Sequence, residues 1–222
     1  MESISQRLMR NAAFAEIYEN LWRPTFTRLF SLGGRATEDY DRALRAYLSR
    51  PGDRLVLDVA CGPGNYTRVI ADGLTGDGRC IGIDFSAAML ARAARTNAVD
   101  RAAFLRADAH AIPFGDNTFD VVTCLAALYL IPDPLRVVDE LVRVTRPGGE
   151  IVVFTSVATE LTSLPGVQRV VALTGFHIFD EHTIADRLRA AGLVDVEQTI
   201  TGHGQYVLGL KPGPVMPAGD LQ

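Results

Sequence analysis

The sequence predicts a doubly wound α/β fold, in which helices cover both faces of a mostly parallel sheet. Short apolar segments alternate with amphipathic segments along much of the chain, as in successive β-α-β units. The apolar segments are continuously hydrophobic, which is what burial on both faces of a parallel sheet requires. A chain of 222 residues, with 48% hydrophobic and 22% charged side chains, is long enough to form one well-buried domain of this class.

Seven segments are strand candidates. Five follow one another between residues 55 and 155, each separated from the next by a helix or a loop. The last two are joined by Gly202-His203-Gly204, which predicts a β-hairpin and therefore an antiparallel strand at the end of the sheet. The candidates are residues 55–60, 80–84, 103–106, 119–124, 150–155, 194–201 and 205–211.

Three helices between these strands have recognisable ends. Ser86 is a typical N-cap, and Asp133-Pro134 combines a capping residue with proline at the first helical position. The helix that begins there is expected to stop before Arg146-Pro147-Gly148-Gly149. Asp180 is expected to start a later helix, and Gly192 to end it.

We divide the chain into an N-terminal helical segment (residues 1–50), an α/β core (51–211) and a tail rich in proline and glycine (212–222) that is expected to be disordered. Residues 156–179 interrupt the alternation after the fifth strand. Because such sheets bind ligands at the carboxyl ends of their strands, we expect residues 1–50 and 156–179 to form a lid over a substrate. Packing against the sheet is the alternative for most of their apolar residues.

Composition excludes several classes of function. The net charge is −4 and there is no long basic run, which argues against a nucleic-acid surface. No apolar stretch approaches the roughly 20 residues of a membrane span, and the N-terminus lacks a signal-peptide core. The spacing of Cys61, Cys80 and Cys124 fits no metal site, so we expect buried thiols in a reducing cytoplasm.

The most informative segment is the first strand with the turn that follows it. The strand ends in Asp58 and enters Gly62-Pro63-Gly64 just before a helix. Such a turn lets a ligand approach bare backbone, and the helix N-terminus favours an anionic group. Asp84 ends the next strand 20 residues after Gly64, a spacing that suits a carboxylate on ribose hydroxyls. The pattern indicates a nucleoside-bearing cofactor.

The choice of cofactor depends on departures from the dinucleotide-binding pattern. Thr67 stands where the third glycine of that pattern, which allows close packing near a pyrophosphate, would be. Together with Asp58 just before the turn, this favours a ligand with a charged amine and no pyrophosphate. S-adenosylmethionine has an amine, a carboxylate, a ribose and an adenine. A plain strand-to-helix turn and a nicotinamide-dependent oxidoreductase are the alternatives at this point.

Motifs between about residues 55 and 155 resemble class I S-adenosylmethionine-dependent methyltransferases of the type 11 group, which includes ubiquinone and menaquinone methyltransferases. Each motif alone is loose, but their order and spacing together are specific. They are Leu57-Asp58-Val59-Ala60-Cys61-Gly62-Pro63-Gly64, Gly82-Ile83-Asp84-Phe85-Ser86 with Met89, Ala107-Asp108-Ala109, Ile112-Pro113-Phe114, Asn117-Thr118-Phe119-Asp120-Val121-Val122 and Glu140-Leu141-Val142-Arg143-Val144-Thr145-Arg146-Pro147-Gly148-Gly149.

The resemblance implies a Rossmann-like, seven-stranded sheet with its last strand antiparallel, and it implies roles for individual residues. The cofactor would be S-adenosylmethionine and the product S-adenosylhomocysteine. The implied contacts are Asp58, Ala60, Gly62 and Gly64 with the methionine part, Tyr18 over that end, Leu125 near the amine, Asp84 with the ribose, and Phe85, Met89, Asp108 and Ala109 with the adenine.

Catalytic residues are harder to assign. Where many relatives carry a histidine pair after the fourth strand, this chain has Tyr129 within Leu128-Tyr129-Leu130-Ile131-Pro132-Asp133. We therefore take His177, in the expected lid, and Tyr129 as the candidates for a general base or substrate contact. Direct methyl transfer also proceeds by alignment alone when the acceptor needs no base.

The sequence thus predicts a cytoplasmic methyltransferase for a small organic molecule, with oxygen, nitrogen or carbon as acceptor. Four aromatic residues near the lid segments suggest an apolar or aromatic substrate. They are Trp22, Phe26, Phe176 and Phe179. We expect no metal, no nucleic-acid partner and no membrane span. The alternatives are a non-catalytic relative that binds the cofactor, and the oxidoreductase. The oligomeric state is not predicted.

Overall fold

The computed structural model describes residues 35–160, 162 and 176–213. They form a seven-stranded sheet with strand order β3-β2-β1-β4-β5-β7-β6. Strand β7 runs antiparallel to both of its neighbours, and the other pairs are parallel, which confirms the predicted fold class. The strands are β1 (Leu55–Val59), β2 (Arg79–Asp84), β3 (Ala102–Arg106), β4 (Phe119–Leu125), β5 (Thr145–Ser156), β6 (Val194–Thr201) and β7 (Gly204–Leu210).

Five α-helices and one 3₁₀-helix accompany the sheet within the described residues. No helix in this part of the chain is long and apolar enough to span a membrane. The helices are α1 (Arg35–Leu48), α2 (Asn65–Gly73), α3 (Ala87–Thr96), the 3₁₀-helix (Leu128–Leu130), α4 (Pro134–Val144) and α5 (Thr183–Ala190).

Some of the predicted helix ends are confirmed. The Ser86 side chain caps α3 by accepting a hydrogen bond from the Met89 N–H. Pro134 occupies the first turn of α4 as predicted. Gly192, with φ +88°, closes α5: its N–H donates to the Arg189 carbonyl, and the Leu193 N–H donates to the Leu188 carbonyl. This is the hydrogen-bond pattern of a Schellman motif.

The predicted start of α4 at Asp133-Pro134 is confirmed without the expected capping hydrogen bond, and two other predicted boundaries are wrong. Asp133 precedes α4 in a left-handed conformation, and its side chain makes no capping hydrogen bond. Helix α5 begins at Thr183 rather than at Asp180, because residues 181–182 form a turn. Strand β5 begins at Thr145, directly after α4, because Thr145 pairs with Phe119 before the register shifts.

Each face of the sheet carries its own hydrophobic core. Alternate residues of β1 point to opposite faces, as the strand period requires: Leu57 and Val59 pack beneath α4 and α5, whereas Val56 packs beneath α1 and α2. Leu44 and Leu48 of α1 belong to the second core. This part of the N-terminal segment therefore packs on the sheet.

Several predicted features lie outside the described residues. These are Tyr18, Trp22 and Phe26 in the N-terminal segment, most of the 156–179 insertion and most of the C-terminal tail. The lid and the domain boundaries therefore stay predictions.

Arg143 of α4 holds the loop that follows β3. Its guanidinium donates hydrogen bonds to the carbonyls of Ile112 and Phe114 and to the carboxylates of Asp116 and Glu140. The hydrogen bonds from Arg143 hold the pKa of Glu140 below its ordinary value, and the Ile112 N–H, which also donates to Glu140, acts in the same direction. One side chain thus links α4 to the segment that leads away from the end of β3.

We expect Arg143→Ala to lower the free energy of unfolding by about 2 kcal/mol, because charge-assisted hydrogen bonds and two half-buried carbonyl contacts are lost. Chemical denaturation of the purified chain measures this change. Arg42→Ala is the matched control, because Arg42 forms an exposed ion pair with Asp39, and such a pair contributes about 0–1 kcal/mol. Equal effects of the two substitutions would contradict the role given to Arg143.

Candidate active site

A cavity opens at the carboxyl ends of the central strands, where parallel sheets bind ligands. Four segments line it: the loop after β1 with the start of α2, the end of β2 with the start of α3, the turn after β3, and the segment after β4. The lining residues are Ala60, Cys61, Gly62, Pro63, Asn65, Tyr66, Ile83, Asp84, Phe85, Ser86, Met89, Ala107, Asp108, Ala109, His110, Leu125, Ala126, Ala127, Leu130 and Ile131.

The two glycines of the first loop have different surroundings. Both have positive φ, +55° at Gly62 and +81° at Gly64. A Cβ on Gly62 would meet nothing within 4 Å, so bare backbone borders the cavity there. A Cβ on Gly64 would lie 2.6 Å from the Phe104 ring, and Gly64 is not part of the lining. Gly64 therefore lets the loop pack on β3, a role that the sequence did not predict.

Asp84 fixes this loop to the end of β2. One carboxylate oxygen accepts the Gly62 N–H at 2.9 Å and the other accepts the Ser86 N–H at 2.8 Å. The side chain lines the cavity although the residue is only 8% exposed. Burial raises the pKa of Asp84, and the N–H donors oppose that rise. Because a carboxylate oxygen has two lone pairs, Asp84 can still accept hydrogen bonds from a ligand.

Asp58 lies behind the loop rather than in the cavity wall. It is 2% exposed, and its two oxygens accept hydrogen bonds from the hydroxyls of Thr67 (2.6 Å) and Thr123 (2.9 Å). Burial raises the pKa of Asp58 to about 6, although these hydroxyls act in the opposite direction. Asp58 therefore links the start of α2 to β4, and it does not line the cavity.

Thr67 occupies the position of the third glycine, and its side chain fits there because Gly82 on β2 has no side chain. A Cβ on Gly82 would lie 2.8 Å from the Thr67 hydroxyl and 2.9 Å from the Cys61 sulfur. Helix α2 and strand β2 therefore still approach closely, and the glycine that allows this lies in the strand rather than in the helix. In exchange, the helix gains a hydroxyl that binds Asp58.

The turn after β3 forms one end of the cavity. The predicted nucleoside contacts Phe85, Met89, Asp108 and Ala109 all line it. The pKa of Asp108 is lowered, chiefly by the hydrogen bond from the His110 backbone N–H. His110 lines the same end.

Leu125 at the end of β4 and the segment that follows it form an apolar wall of the cavity. Ala126 adopts a left-handed conformation, with φ +57°, and its N–H donates to the Phe154 carbonyl. Ala60, with φ +55°, is in the same conformation at the end of β1. Strain at non-glycine residues of this kind is concentrated at functional sites.

The two predicted catalytic residues do not line the cavity. Tyr129 is 5% exposed, and its ring stacks on Phe176 at a centroid distance of 5.4 Å. The His177 N–H donates to the Tyr129 carbonyl, and the His177 carbonyl accepts from the Ser156 hydroxyl. Both residues thus belong to the packing behind the wall that follows β4. Tyr18, the third predicted residue near this end, lies outside the described residues.

Tyr66 is the hydroxyl-bearing residue that sequence reasoning missed. It lines the cavity from the first turn of α2, and its hydroxyl donates to Asp41 of α1 at 2.5 Å. Arg45 donates to the same carboxylate at 2.7 Å, and its guanidinium lies 4.7 Å from the centre of the Tyr66 ring. These residues come from two elements 25 positions apart, so no local pattern in the sequence joins them.

Metal ligation has no candidate in the described ranges. Within residues 35–160, 162 and 176–213, no group of three or more histidine, cysteine, aspartate or glutamate side chains could hold a metal ion. The cavity can instead offer backbone N–H groups, two carboxylates and apolar surface to an organic ligand.

Comparisons with known proteins agree with this geometry. Residues 57–153 match the family model described as methyltransferase domain. The chain is 38% identical over 112 residues to a demethylmenaquinone methyltransferase of Bacillus licheniformis, a match that covers 50% of this chain and 48% of that protein. The chain thus spans about half the length of the curated relatives it matches.

Solved structures share the fold over most of the chain. A SAM-dependent methyltransferase from Aquifex aeolicus has a TM-score of 0.65 at 20% identity, with 90% of this chain and 98% of that chain covered. Phosphoethanolamine N-methyltransferase 2 of Haemonchus contortus, in complex with S-adenosylhomocysteine, has a TM-score of 0.72 at 15% identity, covering 91% of this chain and 58% of that one. Residues 57–153 of this chain therefore match the methyltransferase domain model, and the chain shares the Rossmann-like fold of solved S-adenosylmethionine-dependent methyltransferases.

Proposed function

We propose that this chain transfers a methyl group from S-adenosylmethionine to a small organic molecule and releases S-adenosylhomocysteine. The observation that carries the proposal is a single cavity bordered by the bare Gly62 backbone, the Asp84 carboxylate and the Asp108-Ala109 turn. These groups match the methionine, ribose and adenine parts of that cofactor in the order in which they are joined.

The residues present fit each part of the cofactor. The start of α2, with Asn65 and Tyr66 in the lining, offers backbone N–H groups and a positive dipole end to the carboxylate. Asp84 accepts hydrogen bonds from the ribose hydroxyls. Asp108 accepts a hydrogen bond from the adenine amino group, and Met89 packs against the adenine ring. Asp58 acts through Thr67, by fixing the first turn of α2.

When bound, the cofactor supplies a methyl group on a positively charged sulfur, which leaves as a neutral thioether. The chain therefore needs no group to stabilise a new anion at the leaving atom. Its residues hold the reacting atoms in line, and alignment of this kind contributes up to roughly 7–11 kcal/mol in the best intramolecular cases. Leu125 and Ala126 exclude water from the opposite wall.

Tyr66 is our candidate for the group that receives a proton from the acceptor, in place of His177 and Tyr129. Tyr66 lines the cavity, and its hydroxyl donates to Asp41. An acceptor that must lose a proton would pass it to the Tyr66 oxygen, and Tyr66 would pass its own proton to the Asp41 carboxylate.

The acceptor is an apolar or aromatic molecule, and the reaction takes place in the cytoplasm. The wall after β4 supports the first statement, because it presents Leu125, Ala126, Ala127, Leu130 and Ile131 to the cavity. A quinol such as demethylmenaquinol is the first acceptor to test, because a relative that shares this domain is named for it. Three free cysteines support a reducing compartment.

Calorimetry with S-adenosylmethionine, S-adenosylhomocysteine and a nicotinamide dinucleotide tests the proposal first. We expect one binding site per chain for the first two ligands and none for the third. Transfer of labelled methyl groups to quinols, phenols and amines then tests catalysis. Cofactor binding without transfer to any acceptor of the panel would favour a non-catalytic relative, and binding of the dinucleotide alone would favour an oxidoreductase.

We expect Asp84→Asn to weaken S-adenosylhomocysteine binding at least about tenfold, because charge-assisted hydrogen bonds to the ribose are lost. Calorimetry measures the affinity, and circular dichroism checks the fold. Asp72→Asn is the control, since Asp72 is an exposed residue of α2 in a long ion pair with Arg68. Native affinity in a folded Asp84→Asn chain would remove Asp84 from the site.

The two glycines of the loop should respond differently to alanine. Gly64→Ala adds a methyl group that collides with Phe104 at positive φ, so we expect a loss of about 2–4 kcal/mol in unfolding free energy. Gly62→Ala meets no protein atom, and we expect about 1 kcal/mol of strain with a larger loss of cofactor affinity. Thermal melts and calorimetry separate the two effects. The reverse ranking would contradict the assigned surroundings.

Tyr66→Phe should lower kcat by roughly 10²-fold for an acceptor that must lose a proton, with the cofactor Kd nearly unchanged. His177→Ala should change kcat by less than about threefold, because His177 does not border the cavity. Steady-state kinetics on one acceptor compares the two variants. A large loss with His177→Ala and native turnover with Tyr66→Phe would restore the sequence-based assignment.

A further inference from the structure

The ring of His110 bridges two segments that both contribute to the lining of the cavity. Its Nδ1 lies 2.8 Å from the Asp108 carboxylate, and its Nε2 lies 2.6 Å from the Pro132 carbonyl. Asp108 belongs to the turn after β3, whereas Pro132 follows the wall formed by Leu130 and Ile131. The side chain is 21% exposed. His110 therefore closes one end of the cavity.

Both partners of the ring are hydrogen-bond acceptors. A carbonyl oxygen and an ionised carboxylate have no proton to give. A neutral imidazole carries one N–H and so can satisfy only one of these partners, whereas an imidazolium donates at both nitrogens. Only a charged ring can therefore donate to both partners at once.

The two carboxylate oxygens of Asp108 differ in their hydrogen bonds. Its Oδ1 atom accepts both the His110 backbone N–H and the His110 ring N–H. The Oδ2 atom stays available for the amino group of an adenine. Two other charged residues belong to these segments. Arg136 of α4 also lowers the pKa of Asp108, and Asp133 follows Pro132 in the chain.

We propose that His110, as an imidazolium that donates to Asp108 and to Pro132, is the positioning residue that orients Asp108 for the nucleoside of the cofactor. This inference rests on the proposed function, because it assumes a nucleoside at this end of the cavity. Loss of the ring proton releases one of the two contacts. Either the turn after β3 or the segment that contains Pro132 then becomes free to move. Cofactor affinity then depends on pH through His110.

Two conservative variants separate the contacts. In His110→Asn the amide nitrogen stands near the position of Nδ1, so the contact with Asp108 can persist. In His110→Gln it stands near the position of Nε2, so the contact with Pro132 can persist. His110→Ala removes both contacts. His182→Ala is the control, because His182 is exposed next to α5, and its recorded contact is with the neighbouring Glu181.

The experiment is calorimetry with S-adenosylhomocysteine at several pH values between 5.5 and 8.5, for the native chain and each variant. We expect His110→Ala to bind about tenfold more weakly than the native chain at the acid end. The ratio of native to variant affinity should fall as pH rises, because only a charged ring donates to both partners. Any effect of Asp58 or Asp84 on the affinity cancels in this ratio, because the native chain and the variants all contain both residues. Ring ¹⁵N spectra of the native chain should show both His110 nitrogens protonated at acid pH.

We expect His110→Asn to retain more affinity than His110→Ala, because it keeps a donor to Asp108. A native-to-variant ratio that does not change with pH, a neutral His110 ring throughout the range, or equal affinity in His110→Ala and His182→Ala would each overturn the inference. All three outcomes leave the proposed function intact. Failure of the native chain to bind S-adenosylhomocysteine at any pH would instead remove the proposed function itself.

Discussion

The buried Asp84 carboxylate is the interaction on which the site depends. It accepts backbone N–H groups from Gly62 and Ser86, so one side chain joins the glycine loop to the start of α3. Burial disfavours its charge and raises its pKa, and the two donors offset part of that cost. An acid in this position is thus stable only with the loop in place. The loop is in turn held in the conformation that exposes bare backbone to a ligand, a form of pre-organisation that strengthens binding.

A second layer of residues supports the loop from beneath. Asp58 binds the hydroxyl of Thr67 in α2 and that of Thr123 in β4, and it touches no part of the cavity. Glycines stand where this layer is tightest, since a side chain on Gly64 or Gly82 would collide with Phe104 or Thr67. The residues that a motif groups together therefore divide into those that border the ligand space and those that hold the border in position.

The sequence was sufficient for the fold class and for many of the residues that line the cavity, because continuous apolar strands, glycine turns and strand-terminal acids are local signals. It failed where tertiary contacts decide. Thr145 extends β5 because it pairs with a distant strand, and Asp133 lies in a left-handed turn that no capping rule predicts. His177 was predicted to be catalytic because of its aromatic neighbours, whereas Tyr66 lines the cavity and contacts Asp41, which lies 25 positions away in the sequence. No pattern within one segment of sequence contains such contacts.

A crystal structure of the chain with S-adenosylhomocysteine tests the central claim most directly. We expect the ligand to occupy the cavity at the carboxyl ends of β1, β2 and β4. Both ribose hydroxyls should lie within hydrogen-bond distance of Asp84, and the adenine amino group should lie within that distance of the Asp108 Oδ2 atom. A ligand seated elsewhere, or one whose ribose makes no contact with Asp84, would contradict the account.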